Sequence, residues 1–198
     1  KMAQQMMMNA RQAFVMSNME HAKKVHEIED IIDIVQTEII KYLSTMLSRS
    51  SLTERQSIRL AGLMHVTNDI ERIGDHCQNI AEFAEWKQED KIPFSQEALE
   101  EITDAFILVN TMVDDSIHAL HDGDVDLAKK VLLEEEEVDK LEENLRYRHL
   151  ERLTSGLCDP KAAVIFIELI HTLERIADHS NNIAEAVLSD YNINPEIL

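Results

Sequence analysis

The sequence predicts an all-α protein built as two tandem three-helix bundles from an internal duplication. Three observations carry that reading. Composition is the first: the 198 residues include only 4 glycines and 3 prolines, with 5% aromatics, while Ala, Leu, Ile, Glu and Met are plentiful, which is the usage of helix formers. Periodicity is the second, because no stretch keeps the strict apolar/polar alternation of a half-buried strand over a useful length. Repetition is the third. ERIGDHCQNIAE at 71–82 returns as ERIADHSNNIAE at 174–185, with nine of twelve positions identical and Gly74/Ala177 and Cys77/Ser180 exchanged small for small. Helix-forming composition alone does not preserve such a string, so the repeat marks function as well as fold.

The elements follow from the few breakers. A soft break near 20–25 separates a first helix over 2–21 from a second over 24–48. The polar stretch SRSSLTER (48–55) ends the second, and Ser51 or Thr53 is positioned to cap a third helix over 53–89. Pro93 and Ser95 open a fourth over 95–121, and the turn HDGDVD around Gly123 leads into a fifth over 124–154. In SGLCDPKAA, Gly156 ends that helix and Pro160 begins a sixth over 160–190. The repeated segment falls at the same place in the third and sixth helices, so residues 1–92 and 93–198 are expected to be the two repeats.

Composition also excludes function classes. A formal charge of −19 repels phosphodiester backbones, which argues against nucleic acid, and suits either cation binding or plain solubility. Cys77 and Cys158 form no CxxC or zinc-type spacing and read as reduced thiols, favouring a reducing compartment. No apolar run is long enough to span a bilayer and no signal-peptide pattern opens the chain, so no membrane insertion of this segment and a cytoplasmic location are expected. With no Gly-rich phosphate loop and no nucleophile–base arrangement, a non-enzyme is expected. Basic residues are scattered, so a phosphate sensor of this sequence would have to bind its anion through a metal.

The carboxylates carry the candidate chemistry. At about 100° per residue, Ile70, Ile73, Cys77, Ile80 and Ala84 form one apolar stripe of the third helix. Glu71 and Asp75 share a face rotated roughly 140–180° from it. In the sixth helix the stripe is Leu169, Leu173, Ile176, Ala177, Ile183 and Val187, and Glu174 and Asp178 stand roughly 125–165° away in the same sense. The second and fifth helices carry partners with the same spacing, Glu29 with Asp33 and Glu135 with Asp139, roughly 100–140° from their own stripes. An acidic pair on an outward helix face is ordinarily just solvated. Like charges one turn apart are mildly destabilising, however, and a fourfold recurrence is what a hard cation would explain, since open carboxylate sites suit Fe, Mn, Mg or Ca. Asn79, Asn182, Glu82 and Glu185 recur as further potential ligands.

Other features take structural readings. Six of nine methionines fall in the first nineteen residues and read as adaptable core or interface. The lone ExxH, Glu168 to His171, lacks the second copy that a ferritin-like di-iron centre requires, although His171 shares the flank of Glu174 and Asp178 as an auxiliary ligand. His76 and His179 lie roughly 100° beyond the aspartates, where a helix–helix or subunit contact is expected. Within EEEE at 134–137 only Glu135 aligns with the acidic face.

DIERIGDHCQNIAE, residues 69–82, resembles the signature of the PhoU family of phosphate-uptake regulator domains, an E(D)xxxD motif followed by NIAE in each of two three-helix bundles. The resemblance covers essentially the whole chain through its duplicated architecture. It implies a pair of surface metal clusters, typically iron or zinc, one per bundle. Glu29, Asp33, Glu71 and Asp75 would serve the first, and Glu135, Asp139, Glu174 and Asp178 the second. It also implies a role in phosphate homeostasis, restraining uptake and relaying phosphate status. Where free-standing members carry a P-x-A-x-D-L-R-like stretch, this sequence reads SSLTERQSIRLAGL, with only Arg59 matching. That wording and the Met-rich start are more similar to the PhoU-like cytoplasmic part of bacterial Na⁺/phosphate cotransporters, which implies a transporter membrane domain as partner and a homodimer. The alternative from the residues alone is a metal-free helical docking module with solvated acidic faces.

Overall fold

The computed structural model describes residues 1–48 and 52–193, with side chains to residue 189. Six helices make up the fold: α1 (Met2–Val15), α2 (Met19–Leu47), α3 (Glu54–Glu89), α4 (Gln96–Asp122), α5 (Val125–Thr154) and α6 (Pro160–Ile193). Among the described residues there is no strand.

Most ends are set by the residues expected to set them. The Thr53 hydroxyl accepts from the Gln56 N–H while the Gln56 side chain accepts from the Thr53 N–H, a reciprocal capping box. The other candidate cap, Ser51, lies outside the described residues. Ser95 caps α4, Asp124 caps α5, and Asp159 accepts from the N–H groups of Lys161 and Ala162 at the start of α6. Gly123 ends α4 at φ 70°, a left-handed position that costs glycine nothing.

One boundary differs from expectation. The first turn falls at 16–18 rather than 20–25, so α1 ends at Val15 and α2 starts at Met19. Asn18 caps α2 by accepting from the Glu20 N–H at 3.2 Å, and Ser17 takes φ 51°. The end of α1 is closed from α3: Lys87 Nζ donates to the Phe14 carbonyl at 2.9 Å and to Ser17 Oγ at 3.3 Å, and lies 4.8 Å from the Phe14 ring centre. Burial pushes the Lys87 ammonium below its ordinary value. No glycine or proline marks the turn, and its closing cation arrives from far along the chain.

Each set of three packs on itself, α1, α2 and α3 mutually and α4, α5 and α6 mutually. α3 against α6 and α1 against α4 then join the sets. Counterpart positions are buried in both copies: Met6 and Met112, Ala10 and Ser116, Val25 and Val131, Ile73 and Ile176, Cys77 and Ser180, Ile80 and Ile183. The apolar stripes predicted for α3 and α6 therefore meet, in one continuous core drawn from all six helices. Met6 and Met7 are fully buried in it, while Met8 and Met16 are exposed. Both cysteines are free thiols, Cys77 buried and Cys158 half-buried.

Candidate metal centre

The acidic pairs line the seam between α2 and α3 in the first repeat and between α5 and α6 in the second. Glu29, Asp33 and Asp75 bring carboxylate oxygens within 4.8 Å of one another, and Glu135, Asp139 and Asp178 do the same. The two triads are counterparts, position for position. Glu71 and Glu174 are not members of either triad, but each is close enough to feel it: Asp75 and Asp33 act electrostatically on Glu71, Asp178 and Asp139 on Glu174.

The helical-wheel argument places the α3 and α6 pairs far round from the apolar stripe, on a face that would ordinarily be solvated. The structure differs, because a neighbouring helix occupies that side. Only 20% of the Glu71 side chain, 30% of Asp75 and 22% of Glu174 remains exposed. Asp33 and Asp139 stay on the solvent side, so each triad is an open, half-sunken groove rather than a buried cage.

Charge is poorly balanced there. Glu29, Glu71, Asp75, Glu135, Glu174 and Asp178 are all held above the ordinary carboxylate range, first by burial. Carboxylate neighbours are the next cause for Glu29, Glu71, Glu135, Glu174 and Asp178. Arg72 partly relieves Asp75, donating to Oδ2 at 3.2 Å. The second groove uses its basic groups differently. Arg175 Nε donates to His171 Nε2 at 3.4 Å, and His171 Nδ1 lies 3.3 Å from Glu174 Oε2, an atom that is buried without a hydrogen bond. An all-oxygen donor set, open on one side and short of cations, fits a hard or borderline divalent or trivalent metal ion.

Among the other predicted ligands, Glu185 is exposed and adds to the field on Glu135, while Glu82 is exposed. Asn182 is directed elsewhere, donating to Asp69 Oδ1 at 3.1 Å. His76 and His179 do not enter the triads; their rings stack on each other across α3 and α6 at 5.5 Å, the helix–helix contact expected of them. Burial, followed by the His179 and Arg175 charges, pushes His76 down to about 4. Of the acidic run 134–137, only Glu135 joins a triad, Glu134 and Glu136 pairing with Lys130 and Lys140. Glu168 is exposed.

Asp69 was not singled out by the sequence, yet it ties the two repeats together by accepting from Asn182 and pairing with His179. The signal was the break in symmetry itself, because the residue in its place in the second repeat is Thr172.

A family model of the PhoU domain matches the chain in two segments, residues 1–84 and 99–187. The chain belongs to the PhoU domain family. The two matched segments of this PhoU domain contain one triad each, with their ExxxD pairs in α2 and α3 and in α5 and α6. It is 34% identical over 167 residues to the phosphate-specific transport system accessory protein PhoU homolog 1 of Thermotoga maritima, covering 84% of this chain and 71% of that one. It is 31% identical to the PhoU homolog of Aquifex aeolicus over 81% of this chain and 70% of that one. The crystal structure of PhoU from Pseudomonas aeruginosa superposes with a TM-score of 0.88 at 25% identity, over 96% of this chain and 90% of that one. The phosphate transport system regulatory protein PhoU from Streptococcus pneumoniae shares the fold, with a TM-score of 0.82 at 20% identity over 99% and 90% of the two chains. No helix among the described residues is long and apolar enough to cross a membrane.

Proposed function

We propose that this PhoU domain is a non-enzymatic, metal-binding regulator of phosphate transport. The observation that carries the reading is the duplicated triad, the same three carboxylates converging at the same place in each repeat. Each repeat, residues 1–92 and 93–198, holds one centre. Glu29, Asp33 and Asp75 form the first with Glu71 beside them; Glu135, Asp139 and Asp178 form the second with Glu174 beside them. Iron or zinc is the favoured occupant, and manganese, magnesium or calcium match the same oxygen chemistry. A bound ion supplies the positive charge that an acidic surface otherwise denies to a phosphate ligand.

The names of the relatives support phosphate transport as the setting, since those proteins are accessory or regulatory components of phosphate transport systems. The wording of the repeat and the Met-rich first helix favour the cytoplasmic part of a Na⁺/phosphate cotransporter, tethered at the inner face of the membrane, with the transporter's membrane domain as partner. The domain acts there as a homodimer.

Equilibrium dialysis against labelled inorganic phosphate tests the reading, using the protein loaded with iron or zinc and the protein stripped by chelator. Saturable phosphate binding only in the loaded form is expected, halved together with the metal content in the double variant E71A/D75A. Metal content unchanged in that variant would remove the site assignment. Loaded protein that binds no phosphate would leave a metal-stabilised docking module.

A further inference from the structure

The two acidic grooves, counterparts in position, differ in where their arginine is held. Arg72 and Arg175 each follow the motif glutamate. Arg72 lies on the acids of the first groove, donating to Asp75 Oδ2 at 3.2 Å and standing 3.8 Å from Glu71 Oε2. It is the strongest charge acting on Asp75, where it opposes the upward push of burial. Arg175 is turned away, its Nε donating to His171 Nε2 at 3.4 Å. The strongest charge acting on Asp178 is accordingly another carboxylate, Asp139.

One exchange between the repeats accounts for this. The first has Asn68 where the second has His171. Asn68 is taken up by α2, its Oδ1 accepting from Gln36 at 3.0 Å. The α5 counterpart of Gln36 is Glu142, which pairs with Arg146 at 3.5 Å, and His171 turns to its own helix. Because Arg175 donates to Nε2, the imidazole carries its proton on Nδ1. Nδ1 stands 3.3 Å from Glu174 Oε2, a buried oxygen that accepts no hydrogen bond. A buried acceptor left so is costly, and this N–H is the donor placed to answer it.

We propose that His171 is a positioning residue of the second centre, holding Arg175 off the carboxylates and steadying Glu174, and that it makes this centre the tighter of the two. The inference rests on the reading of the triads as metal sites. A cation entering the first groove meets a guanidinium bonded to one of its ligands, and like charges repel. A cation entering the second meets carboxylates free of a bonded arginine, beside a glutamate held by an outer partner, an arrangement that raises metal affinity. Both centres fill at saturation; they differ in the order of filling.

Zinc is the probe, titrated into the full chain stripped by chelator and followed by competition with a fluorescent zinc indicator. Two classes of site are expected, at least about tenfold apart, the tighter lost in D178N and retained in E71A/D75A. H171N, which writes the residue of the first repeat into the second, should weaken the tighter class about tenfold, with the number of ions at saturation unchanged. Adding R175A to H171N should recover part of that loss, because the arginine released onto the carboxylates is then gone. H171Q should bind as the unaltered protein does, since its amide accepts from Arg175 and donates to Glu174. His171 is 48% exposed, so the stripped variants should melt where the stripped parent does. Equal affinities at the two centres, a tighter class lost in E71A/D75A, or unweakened binding by H171N would overturn the proposal and leave two metal centres standing. A loss in H171Q equal to that in H171N would overturn it in favour of His171 as a direct ligand. No zinc at either centre would remove the metal reading and the proposal together.

Discussion

His179 Nδ1 and Asp69 Oδ1 lie 2.9 Å apart and join α6 to α3 across the boundary between the two repeats. Both groups are partly buried, at 21% and 16% side-chain exposure, and the same Asp69 oxygen accepts from Asn182. His179 in turn stacks on His76, so one carboxylate anchors the polar seam on which the halves meet.

Replacing Asp69 by Ala removes its contacts with His179 and Asn182 at once. The expected loss of stability is about 1–2 kcal/mol, the range for a partly buried hydrogen bond to a charged group, discounted for the solvent that reaches it. Denaturant melts of D69A, H179A and the double variant check this. A coupling energy of about 0.5–1.5 kcal/mol is expected, and strict additivity would mean that the contact contributes nothing. Metal content should not change in D69A, because Asp69 belongs to neither triad.

A second expectation concerns acid. His149 is 1% exposed, stacked on Phe166 with ring centres 3.9 Å apart, and held between Arg152 and Cys158. Burial, then the Arg152 charge, pushes it from the ordinary 6.5 to about 4, with Glu101 opposing. The unfolded chain therefore takes up this proton before the folded one does. Stability contributed by neutral His149 is fully present above pH 6.5 and is lost as the pH falls toward about 4. Thermal melts across that window should fall less steeply for H149F than for the unaltered protein, and parallel curves would assign the acid sensitivity elsewhere.

Asp178 predicts opposite effects with and without metal. Its folded value is raised, first by burial and then by Asp139, so its ionisation opposes folding: the stability present below the ordinary carboxylate value is lost as the pH rises through the folded one. At neutral pH the ion-free groove is therefore repulsive. D178N should stabilise the chelated protein by about 0.5 kcal/mol, the scale of one relieved like-charge pair, and should lower metal uptake and the stability gained on loading. Melts of both proteins with and without chelator decide it, and a D178N variant destabilised equally in both forms would contradict it.

How much of this was legible in the sequence depended on whether the signal was local or repeated. Thr53 fixes a helix end through its side-chain cap, Gly123 and Pro160 through their own backbone preferences, and those ends fell within a residue of expectation. The turn at Met16–Asn18 did not, because its closing interaction is donated by Lys87 of α3. The acidic pairs were legible through their i, i+4 spacing and duplication. Their half-burial was not, since a wheel drawn on one helix cannot show the second helix that covers a face. The Asp69 tie and the His149–Arg152–Glu101 cluster pair residues of different helices with no repeated motif, and only tertiary packing brings them together.

The central claim is that the duplicated triads hold metal. Plasma mass spectrometry of the protein, purified without chelators or a metal-capturing tag and measured before and after chelation, tests it most directly. The account predicts iron, zinc or manganese in whole-number stoichiometry, removed by chelator, restored on reconstitution, and reduced by about half in E71A/D75A, which alters one of two equivalent grooves. No metal after purification and none taken up on reconstitution would contradict it, leaving Glu29, Asp33, Asp75 and their counterparts as ordinary surface acids.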